Sequence, residues 1–332
     1  MNKEKTNILI VGLLATGSSA MVDLLREYDE IHIVQNEFND FRAPGLVADQ
    51  LDNQQDNEFK NEIGRITSLK SRLRLIYGIF PILKWEIKTI LEVKHRFKYN
   101  LIRIKQLNLL KRLNTILVST ISVEEKFHQA NHWIQEVGRI NNPSKEFVLF
   151  DQPLLSTINT GIWERVFNPF KLIVVYRDPK DQLAEIIKKG ILYAPYGAPN
   201  VTYSGVALES IFGRNRESAI TIHINAIKKR FEWIDNLKNE LNRDSLLLVD
   251  FEGLVNNYNE YKIAIESFIG IKNQNKSKYK LYFDPENAKE SIGIYNKFLK
   301  KDEIHFLSDA DKWYFNTIKE TQIINYSSFS ES

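Results

Sequence analysis

The chain has 332 residues, of which 43% are hydrophobic and 26% are charged, so it is long enough to bury a core and has the composition of a globular protein. It contains no cysteine, which excludes disulfide bonds, a thiol nucleophile and a cysteine metal site. Its first residues lack the layout of a signal peptide, and no apolar run reaches the roughly 18 residues of a membrane span, so we expect a cytoplasmic protein.

The net charge of +3 is unevenly distributed along the chain. Residues 60–112 contain 14 Lys and Arg but only 3 Asp and Glu, so the rest of the chain carries a net negative charge. Such a basic segment is typical of a surface that binds a polyanion or lies on an anionic membrane. A solvated helix face or a dimer contact is the alternative.

The chain opens with a strand, a glycine-rich loop and a helix. Residues 8–11 are a short apolar run with β-branched members, which is typical of a buried strand in a parallel sheet. The loop at 12–19 contains two glycines, which let backbone N–H groups approach a phosphate, and the N-terminus of the helix adds partial positive charge. The stretch therefore predicts an anion-binding loop; a plain strand-to-helix turn with a serine cap is the alternative.

The loop departs from that of nucleotide triphosphatases at one position. Their loop reads G-x4-G-K-[ST], and in this chain Ser18 stands in the lysine position. That lysine grips the β- and γ-phosphates of the nucleotide. A P-loop nucleotide kinase or triphosphatase is therefore only an alternative interpretation.

Further strands alternate with helices along the chain. The strands are predicted at residues 30–34, 147–150, 171–176 and 246–249, and the later helices at 179–189 and 218–241. Residues 46–140 are expected to form a basic, mostly helical insertion. The pattern predicts an α/β fold of the P-loop-like, three-layer α/β/α type, with a central parallel sheet, in a single domain over residues 1–332.

A polar loop follows the second predicted strand and carries Glu37, Asp40 and Arg42. In a doubly wound sheet, loops after the carboxyl ends of neighbouring strands face a shared crevice. We therefore expect these side chains to lie near the glycine-rich loop. A solvated loop with a local ion pair is the alternative.

Four sequence motifs occur in an order that is characteristic of one enzyme family. They are Gly12-Leu-Leu-Ala-Thr-Gly-Ser-Ser19, Val174-Val-Tyr-Arg-Asp-Pro-Lys-Asp181, Leu246-Leu-Leu-Val-Asp-Phe-Glu-Gly-Leu-Val255 and Glu290-Ser-Ile-Gly-Ile-Tyr-Asn-Lys-Phe-Leu299. In this order they resemble the motifs of the sulfotransferases, which use 3′-phosphoadenosine 5′-phosphosulfate as sulfuryl donor. The resemblance spans nearly the whole chain apart from the basic insertion, and it is strongest to the members that act on glycans.

The resemblance implies a donor-binding site without a metal. In the family the loop holds the phosphosulfate, the arginine at Arg177 holds the 3′-phosphate, and the late loop closes over the adenosine. A family serine that binds the same phosphate is replaced by Glu185, which would repel the donor unless Lys180, Lys188 or Lys297 intervenes. The implied donor-binding residues are Ala15, Thr16, Gly17, Ser18, Ser19, Arg177, Lys180, Glu185, Gly293 and Lys297.

A second departure concerns the loop cation. Ala15 stands where the family has lysine or arginine, and an alanine side chain cannot contact the sulfuryl group. Loss of such a cation commonly costs about 10²–10³ in rate. We expect Arg42, or a lysine of the insertion, to replace it.

Glu37 is the predicted general base. In the glycan-acting members an Asn-Glu pair follows the second strand, and here Asn36-Glu37 lies at the corresponding spacing, Glu37 being 22 residues after Ala15. A positioned carboxylate can take the proton of an acceptor hydroxyl as the oxygen attacks sulfur. The resemblance implies sulfuryl transfer to a hydroxyl or amine of a glycan or glycoconjugate, with Glu37 and Arg42 as catalytic residues.

A protein of a different class fits the same motifs. It is a non-catalytic protein that binds an anionic glycan or a nucleotide on the same fold, in which Ala15 marks lost chemistry. The predicted partners of the enzyme are the glycan acceptor and an anionic membrane surface at residues 60–112, without nucleic acid.

Overall fold

A computed structural model describes residues 4–12, 15–43, 46–52, 90–119, 121–140, 142, 144–155, 158–193, 215–271 and 274–324. For residues 35, 36, 90–100 and 317–324 it describes the backbone alone. Predictions that fall on residues 53–89, which include much of the basic segment, lie outside the described part of the chain.

Five strands in the described residues form one parallel sheet. In chain order they are β1 Thr6–Val11, β2 Ile31–Glu37, β3 Phe147–Asp151, β4 Phe170–Tyr176 and β5 Leu246–Asp250. Their order across the sheet is β2-β3-β1-β4-β5, and Val174 of β4 lies opposite Leu248 of β5. Strands covered on both faces are apolar throughout, and residues 8–11 and 172–176 are accordingly buried. The predicted strands and parallel sheet are confirmed.

Along the described part of the chain, helices lie between successive strands and follow the last one. They are α1 Ser18–Leu25, α2 Asn39–Arg42, α3 Val47–Leu51, α4 Ile90–Leu117, α5 Val123–Arg139, α6 Thr160–Phe167, α7 Pro179–Lys188, α8 Arg216–Glu240, α9 Phe251–Asn256, α10 Tyr258–Ile269, α11 Pro285–Ala288, α12 Tyr295–Phe298, α13 Lys301–Phe306 and α14 Ser308–Ile324. Together with the sheet they form the predicted P-loop-like, three-layer α/β/α fold. Among the described helices, none has the length and apolarity that a membrane span requires.

The chain divides into two compact units. The first comprises Met1–Asn7 and His32–Pro169, and the second comprises Ile8–Ile31 and Phe170–Ser332. The glycine-rich loop and the motifs around Arg177, Glu252 and Gly293 all belong to the second unit, whereas Glu37 and Arg42 belong to the first. The single domain over residues 1–332 stays a prediction.

In the first unit, aromatic side chains fix the segment that follows β2. The Phe38 ring lies 4.8 Å from that of Phe150, and the Phe41 ring lies 5.0 Å from that of Phe167, both with edge-to-face geometry. Phe38 and Phe41 are buried, so they anchor α2 on the core of this unit. Of the charged side chains beside them, Asp40 and Arg42 are buried and Glu37 is about half exposed.

The described part of residues 46–140 contains α3, α4 and α5, and the basic insertion itself stays a prediction. Helix α4 buries Leu107, Leu110, Leu113 and Leu117. Its exposed residues include Lys105, Lys111 and Arg112. This division is that of an amphipathic helix with a basic outer surface. The partner of that surface stays a prediction.

In the second unit, a buried carboxylate organises the segment before the last motif. Glu27 is fully buried just after α1. Its oxygens accept hydrogen bonds from Gln274 Nε2 at 2.5 Å and from the backbone N–H groups of Lys280 at 3.1 Å and Tyr282 at 3.2 Å. The Phe283 N–H lies at 3.4 Å. One side chain thus satisfies several backbone donors that would otherwise be buried without partners.

We expect Glu27→Ala to lower the free energy of unfolding by about 3 kcal/mol, because hydrogen bonds to a charged group are lost and buried donors are left unpaired. Urea denaturation followed by circular dichroism measures the change. Glu260→Ala, an exposed carboxylate on α10, is the matched control and should stay within about 0.5 kcal/mol of the wild type. Equal effects of the two substitutions would show that Glu27 does not organise the segment.

Candidate functional site

The loop after β1 folds back on its own start. The Ser18 hydroxyl donates a hydrogen bond to the Gly12 carbonyl oxygen at 2.9 Å. A Cβ atom at Gly12 would lie 2.4 Å from Thr16 Oγ1 and 2.8 Å from the Val175 carbonyl oxygen, so this position requires glycine. Ser18, which was predicted to offer its hydroxyl to the donor, therefore closes the loop with it.

Two residues of the loop have left-handed backbone conformations. Ala15 has φ of 58° and Gly17 has φ of 92°. For alanine this conformation costs roughly 1–2 kcal/mol, which the surrounding contacts must offset. A Cβ atom at Gly17 would lie 2.2 Å from the Phe251 ring, so the loop packs directly on the start of α9. Helix α1 begins at the next residue and directs its first N–H groups toward the loop.

The Arg177 guanidinium joins the loop to two other segments. Its Nη1 donates to the Ala15 carbonyl oxygen at 3.2 Å, and its Nε donates to Glu252 Oε1 at 3.2 Å. Its Nη2 donates to the Ser291 carbonyl oxygen, and the guanidinium lies 4.9 Å from the centre of the Phe251 ring. The side chain is 2% exposed, so its charge is held almost entirely by these partners. Its contact with the donor's 3′-phosphate stays a prediction.

An acidic cluster lies behind Arg177. Glu252 Oε2 accepts from the Asp178 N–H at 3.1 Å, and the Tyr314 hydroxyl lies 2.9 Å from Glu252 Oε2 and 2.9 Å from Asp250 Oδ1. Burial and the neighbouring Asp250 raise the pKa of Glu252 to about 8, although Arg177 opposes the shift. Burial also raises the pKa of Asp250. The cluster therefore favours a protonated carboxyl group beside a buried cation.

Asp181 holds the late loop. Its carboxylate accepts hydrogen bonds from the Gly293 N–H at 2.5 Å and the Tyr295 N–H at 3.0 Å, and it is 2% exposed. Gly293 has φ of 71°, which explains the glycine in this motif. The second and fourth motifs are therefore joined by two side chains: the Asp181 carboxylate accepts from backbone N–H groups of the late loop, and Arg177 donates to its Ser291 carbonyl.

The lysines of the second unit have different partners. Lys180 Nζ pairs with Asp311 Oδ2 at 3.0 Å. Glu185 pairs with Lys188 and Lys189 at 3.5 Å each, so its carboxylate is neutralised on its own helix. Lys297 is exposed on α12, next to the Gly293 loop. Among the lysines predicted to lie near the donor, Lys297 is thus exposed next to the late loop, whereas Lys180 is paired with Asp311.

In the first unit, Glu37 and Arg42 form an ion pair. Arg42 Nη2 donates to Glu37 Oε2 at 2.5 Å, and its Nε donates to Asn39 Oδ1 at 2.9 Å. The Glu37 side chain is 48% exposed, whereas that of Arg42 is 4% exposed. Asp40 is bound by Arg103 of α4, with Nη2 at 2.7 Å from Oδ1. The local ion pair of the alternative interpretation is thus present, and the catalytic roles of Glu37 and Arg42 stay predictions.

The sequence alone did not predict several residues of the site. Glu252, Asp181 and Ser291 lie inside the four motifs, and their spacing to Arg177 or Gly293 was the available signal. Tyr314 lies on α14 outside every motif, so nothing in the sequence points to it. Within the described ranges, no group of three or more His, Asp or Glu side chains is arranged to hold a metal ion.

Comparison with solved structures finds sulfotransferases. The sulfotransferase domain of the Synechococcus PCC 7002 olefin synthase is 12% identical with a TM-score of 0.45, over 93% of this chain and 94% of that one. The sulfotransferase domain from the curacin biosynthetic pathway is 11% identical with a TM-score of 0.42, over 93% and 98%. Sulfotransferase STF1 from Mycobacterium tuberculosis H37Rv is 10% identical with a TM-score of 0.42, over 88% and 77%. No family model and no curated protein matches the chain. Likenesses at these TM-scores do not decide the function, which must follow from the residues themselves.

We expect Gly17→Ala to destabilise the protein more than Gly190→Ala. Both glycines have positive φ, so both substitutions incur the left-handed cost of roughly 1–2 kcal/mol. A Cβ atom at Gly190 meets nothing within 4 Å, whereas one at Gly17 strikes the buried Phe251 ring, which adds about 1–3 kcal/mol. Denaturant unfolding measures both. Indistinguishable losses would mean that the loop does not pack on α9 as described.

Proposed function

We propose that this protein is a sulfotransferase that moves a sulfuryl group from 3′-phosphoadenosine 5′-phosphosulfate to a hydroxyl or amine of a glycan or glycoconjugate. The observation that carries the proposal is the hydrogen bond of 3.2 Å between Arg177 Nη1 and the Ala15 carbonyl oxygen. It brings the glycine-rich loop and the arginine motif to one place in the second unit. A donor with phosphate groups at its 5′ and 3′ positions requires such neighbouring anion-binding turns.

The loop residues fit the phosphosulfate end of the donor. Thr16 Oγ1 is buried and has no hydrogen-bond partner among the described residues. A ligand oxygen would supply that partner, since buried polar groups are rarely left unpaired. The first N–H groups of α1 add donors and the positive end of the helix dipole, and Ser19 is exposed beside them. Residues 16–19 would thus hold the anion chiefly through backbone amides.

The late loop fits the other end of the donor. Gly293 and Lys297 are exposed, and Asp181 fixes the backbone between them. Lys297 would neutralise phosphate charge directly, whereas Arg177 would contribute from beneath, through its buried charge. Lys180 and Glu185, already paired with neighbours, would act by shaping this region.

Glu37 would accept the proton of the acceptor. When bound, the donor supplies the sulfuryl group and a phosphate leaving group. The acceptor oxygen forms the new bond to sulfur as the bond to the leaving phosphate breaks, and its proton passes to the Glu37 carboxylate. The exposure of Glu37 leaves its free carboxylate oxygen accessible to an acceptor, and Arg42 orients the carboxylate through Oε2.

One N–H donor group of Arg42 is proposed to take part in the reaction. Its Nη1 is buried and has no hydrogen-bond partner in the described part of the chain. A sulfuryl or acceptor oxygen would satisfy it, so Arg42 is proposed to replace the cation that Ala15 lacks while it orients Glu37. The basic segment at residues 60–112, whose described part exposes Lys105, Lys111 and Arg112, is proposed to hold the acceptor at an anionic membrane surface on the cytoplasmic side.

One observation favours a second candidate, a non-catalytic binding protein. Position 15 has an alanine side chain and offers only its carbonyl oxygen, which Arg177 occupies. Such a protein would bind the nucleotide or an anionic glycan and transfer nothing. A P-loop kinase is less well supported, because Ser18 in the lysine position is turned back onto the Gly12 carbonyl.

We expect Glu37→Gln to lower sulfuryl transfer at least about 10²-fold, because an amide cannot accept the acceptor proton. Transfer of labelled sulfate to a panel of glycans measures the rate. Thermal shift with 3′-phosphoadenosine 5′-phosphate should be unchanged in the variant, and ATP should give no shift. Glu124→Gln, which alters another exposed carboxylate paired with an arginine, is the control and should retain activity. Full activity of Glu37→Gln would show that Glu37 is not the general base. Donor binding without sulfuryl transfer by the wild type would favour the non-catalytic binding protein.

A further inference from the structure

The Tyr314 hydroxyl has more acceptors than hydrogens. It lies 2.9 Å from Asp250 Oδ1 and 2.9 Å from Glu252 Oε2, but a phenol carries a single hydrogen. If both carboxyl groups were ionised, one of these contacts would be between two oxygens with no proton between them. That arrangement is repulsive in a buried site, and Asp250 and Tyr314 are each 3% exposed. A second proton is therefore required in the cluster.

The remaining hydrogen bonds agree with a single extra proton. Asp250 Oδ2 accepts from the Gly253 N–H at 2.7 Å, and Glu252 Oε1 accepts from Arg177 Nε at 3.2 Å. Glu252 Oε2 also accepts from the Asp178 N–H at 3.1 Å, whereas Asp250 Oδ1 faces the Tyr314 hydroxyl at 2.9 Å. The carboxyl proton can therefore sit on Asp250 Oδ1, or on Glu252 Oε2 beside the hydrogen bond from Asp178. Burial raises the pKa of both carboxyl groups and of Tyr314, so the tyrosine keeps its hydrogen while the acids share theirs.

We propose that Asp250, Tyr314 and Glu252 share one carboxyl proton at neutral pH, and that loss of this proton in alkali weakens binding of the anionic donor by neutralising Arg177. This inference rests on the proposed function. With the proton present, the acid pair carries a single negative charge and Arg177 retains its attraction for phosphate. When the proton leaves, a second negative charge arises next to a guanidinium that also touches the donor loop at Ala15.

The other charged groups around Glu252 are balanced locally. Asp178, before α7, has a pKa raised by burial to about 6 and is therefore ionised throughout the alkaline range. Lys180 pairs with Asp178 at 3.9 Å and with Asp311 of α14 at 3.0 Å. The pKa of Asp178 lies below pH 7. Burial opposes the charge of Lys180, but its hydrogen bond to Asp311 and the neighbouring carboxylates outweigh that effect, so the pKa of Lys180 is raised. Asp178 and Lys180 therefore keep their charges between pH 7 and pH 9.5, and the shared proton is the variable charge that we infer beside Arg177.

Helices α10 and α11 pack on α9 and place a hydroxyl group and an ion pair near it. On α10, the Tyr261 hydroxyl faces Gly253, where a Cβ atom would lie 2.0 Å from it. On α11, Glu286 is paired with Lys289 at 2.8 Å. The chain also has no cysteine, so no thiol ionises between pH 7 and pH 9.5.

Asp250→Asn is the variant that isolates the proton. An asparagine there can accept from the Gly253 N–H through its carbonyl and donate to the Tyr314 oxygen through its amide, while Tyr314 donates to Glu252. The hydrogen bonds to Gly253 and Tyr314 are kept, and without the Asp250 carboxyl group the pair cannot gain a second negative charge in alkali. Asp235→Asn is the control for a change of net charge. It removes a carboxylate of α8 that pairs with Lys238, while the asparagine carbonyl oxygen can still accept from Trp313 Nε1.

The experiment measures binding of 3′-phosphoadenosine 5′-phosphate by calorimetry from pH 7 to pH 9.5 at fixed ionic strength. The phosphates of the ligand are fully ionised in this window. We expect the wild type and Asp235→Asn to lose about three- to tenfold in affinity across it, and Asp250→Asn to bind equally at both ends. A flat wild-type profile, or an unchanged slope in Asp250→Asn, would overturn the inference while leaving the proposed function intact. No binding at any pH would overturn both.

Infrared spectroscopy tests for the shared proton in the wild-type protein itself, with no ligand and no substitution that could impair folding. The wild type should have the carbonyl band of a protonated carboxylic acid at pH 7, and the band should disappear as the pH is raised to 9.5. Absence of this band at pH 7 would overturn the inference whatever the binding data.

Discussion

A buried positive charge with three different partners determines the geometry of the candidate site. Arg177 binds the Glu252 carboxylate and the carbonyl oxygens of Ala15 and Ser291, so three distant segments meet at one guanidinium. Because the C=O and N–H groups of a trans peptide point in opposite directions, the hydrogen bond to Ala15 turns the Thr16 N–H away from Arg177. The same contact helps to offset the left-handed conformation of Ala15. The shape of the glycine-rich loop thus depends on a residue that lies 162 positions away along the chain.

The side chains of the arginine motif, residues 177–181, form hydrogen bonds mainly with backbone groups. Arg177 and Asp181 bind the backbone at Ser291, Gly293 and Tyr295, and Asp178 caps α7 by accepting from the Lys180 N–H at 2.8 Å. Arg177 and Asp181, on either side of Pro179, therefore hold the backbone of the late loop. Preorganised amides of this kind cost little reorganisation when an anion binds. The acidic cluster below adjusts the charge of the same arginine.

The sequence was sufficient to predict the strands, the parallel sheet and part of the candidate site. Apolar runs such as residues 8–11 and 171–176 defined the strands, and Pro179 and Gly190 marked the ends of a helix correctly. Hydrogen bonds from Arg177 to carbonyl oxygens were not predictable, because every residue has a carbonyl and side-chain identity does not select one. Tyr314 was missed for a related reason: a tyrosine in a terminal helix gains its role only from the two carboxyl groups that the fold brings to it.

A crystal structure of the complex with 3′-phosphoadenosine 5′-phosphate tests the central claim most directly. The account predicts the 5′-phosphate on the N–H groups of residues 16–19, the Thr16 hydroxyl bonded to a phosphate oxygen, and Arg177 still bound to the Ala15 carbonyl. A nucleotide bound away from this loop, or a loop whose Ala15 carbonyl has turned away from Arg177, would contradict it.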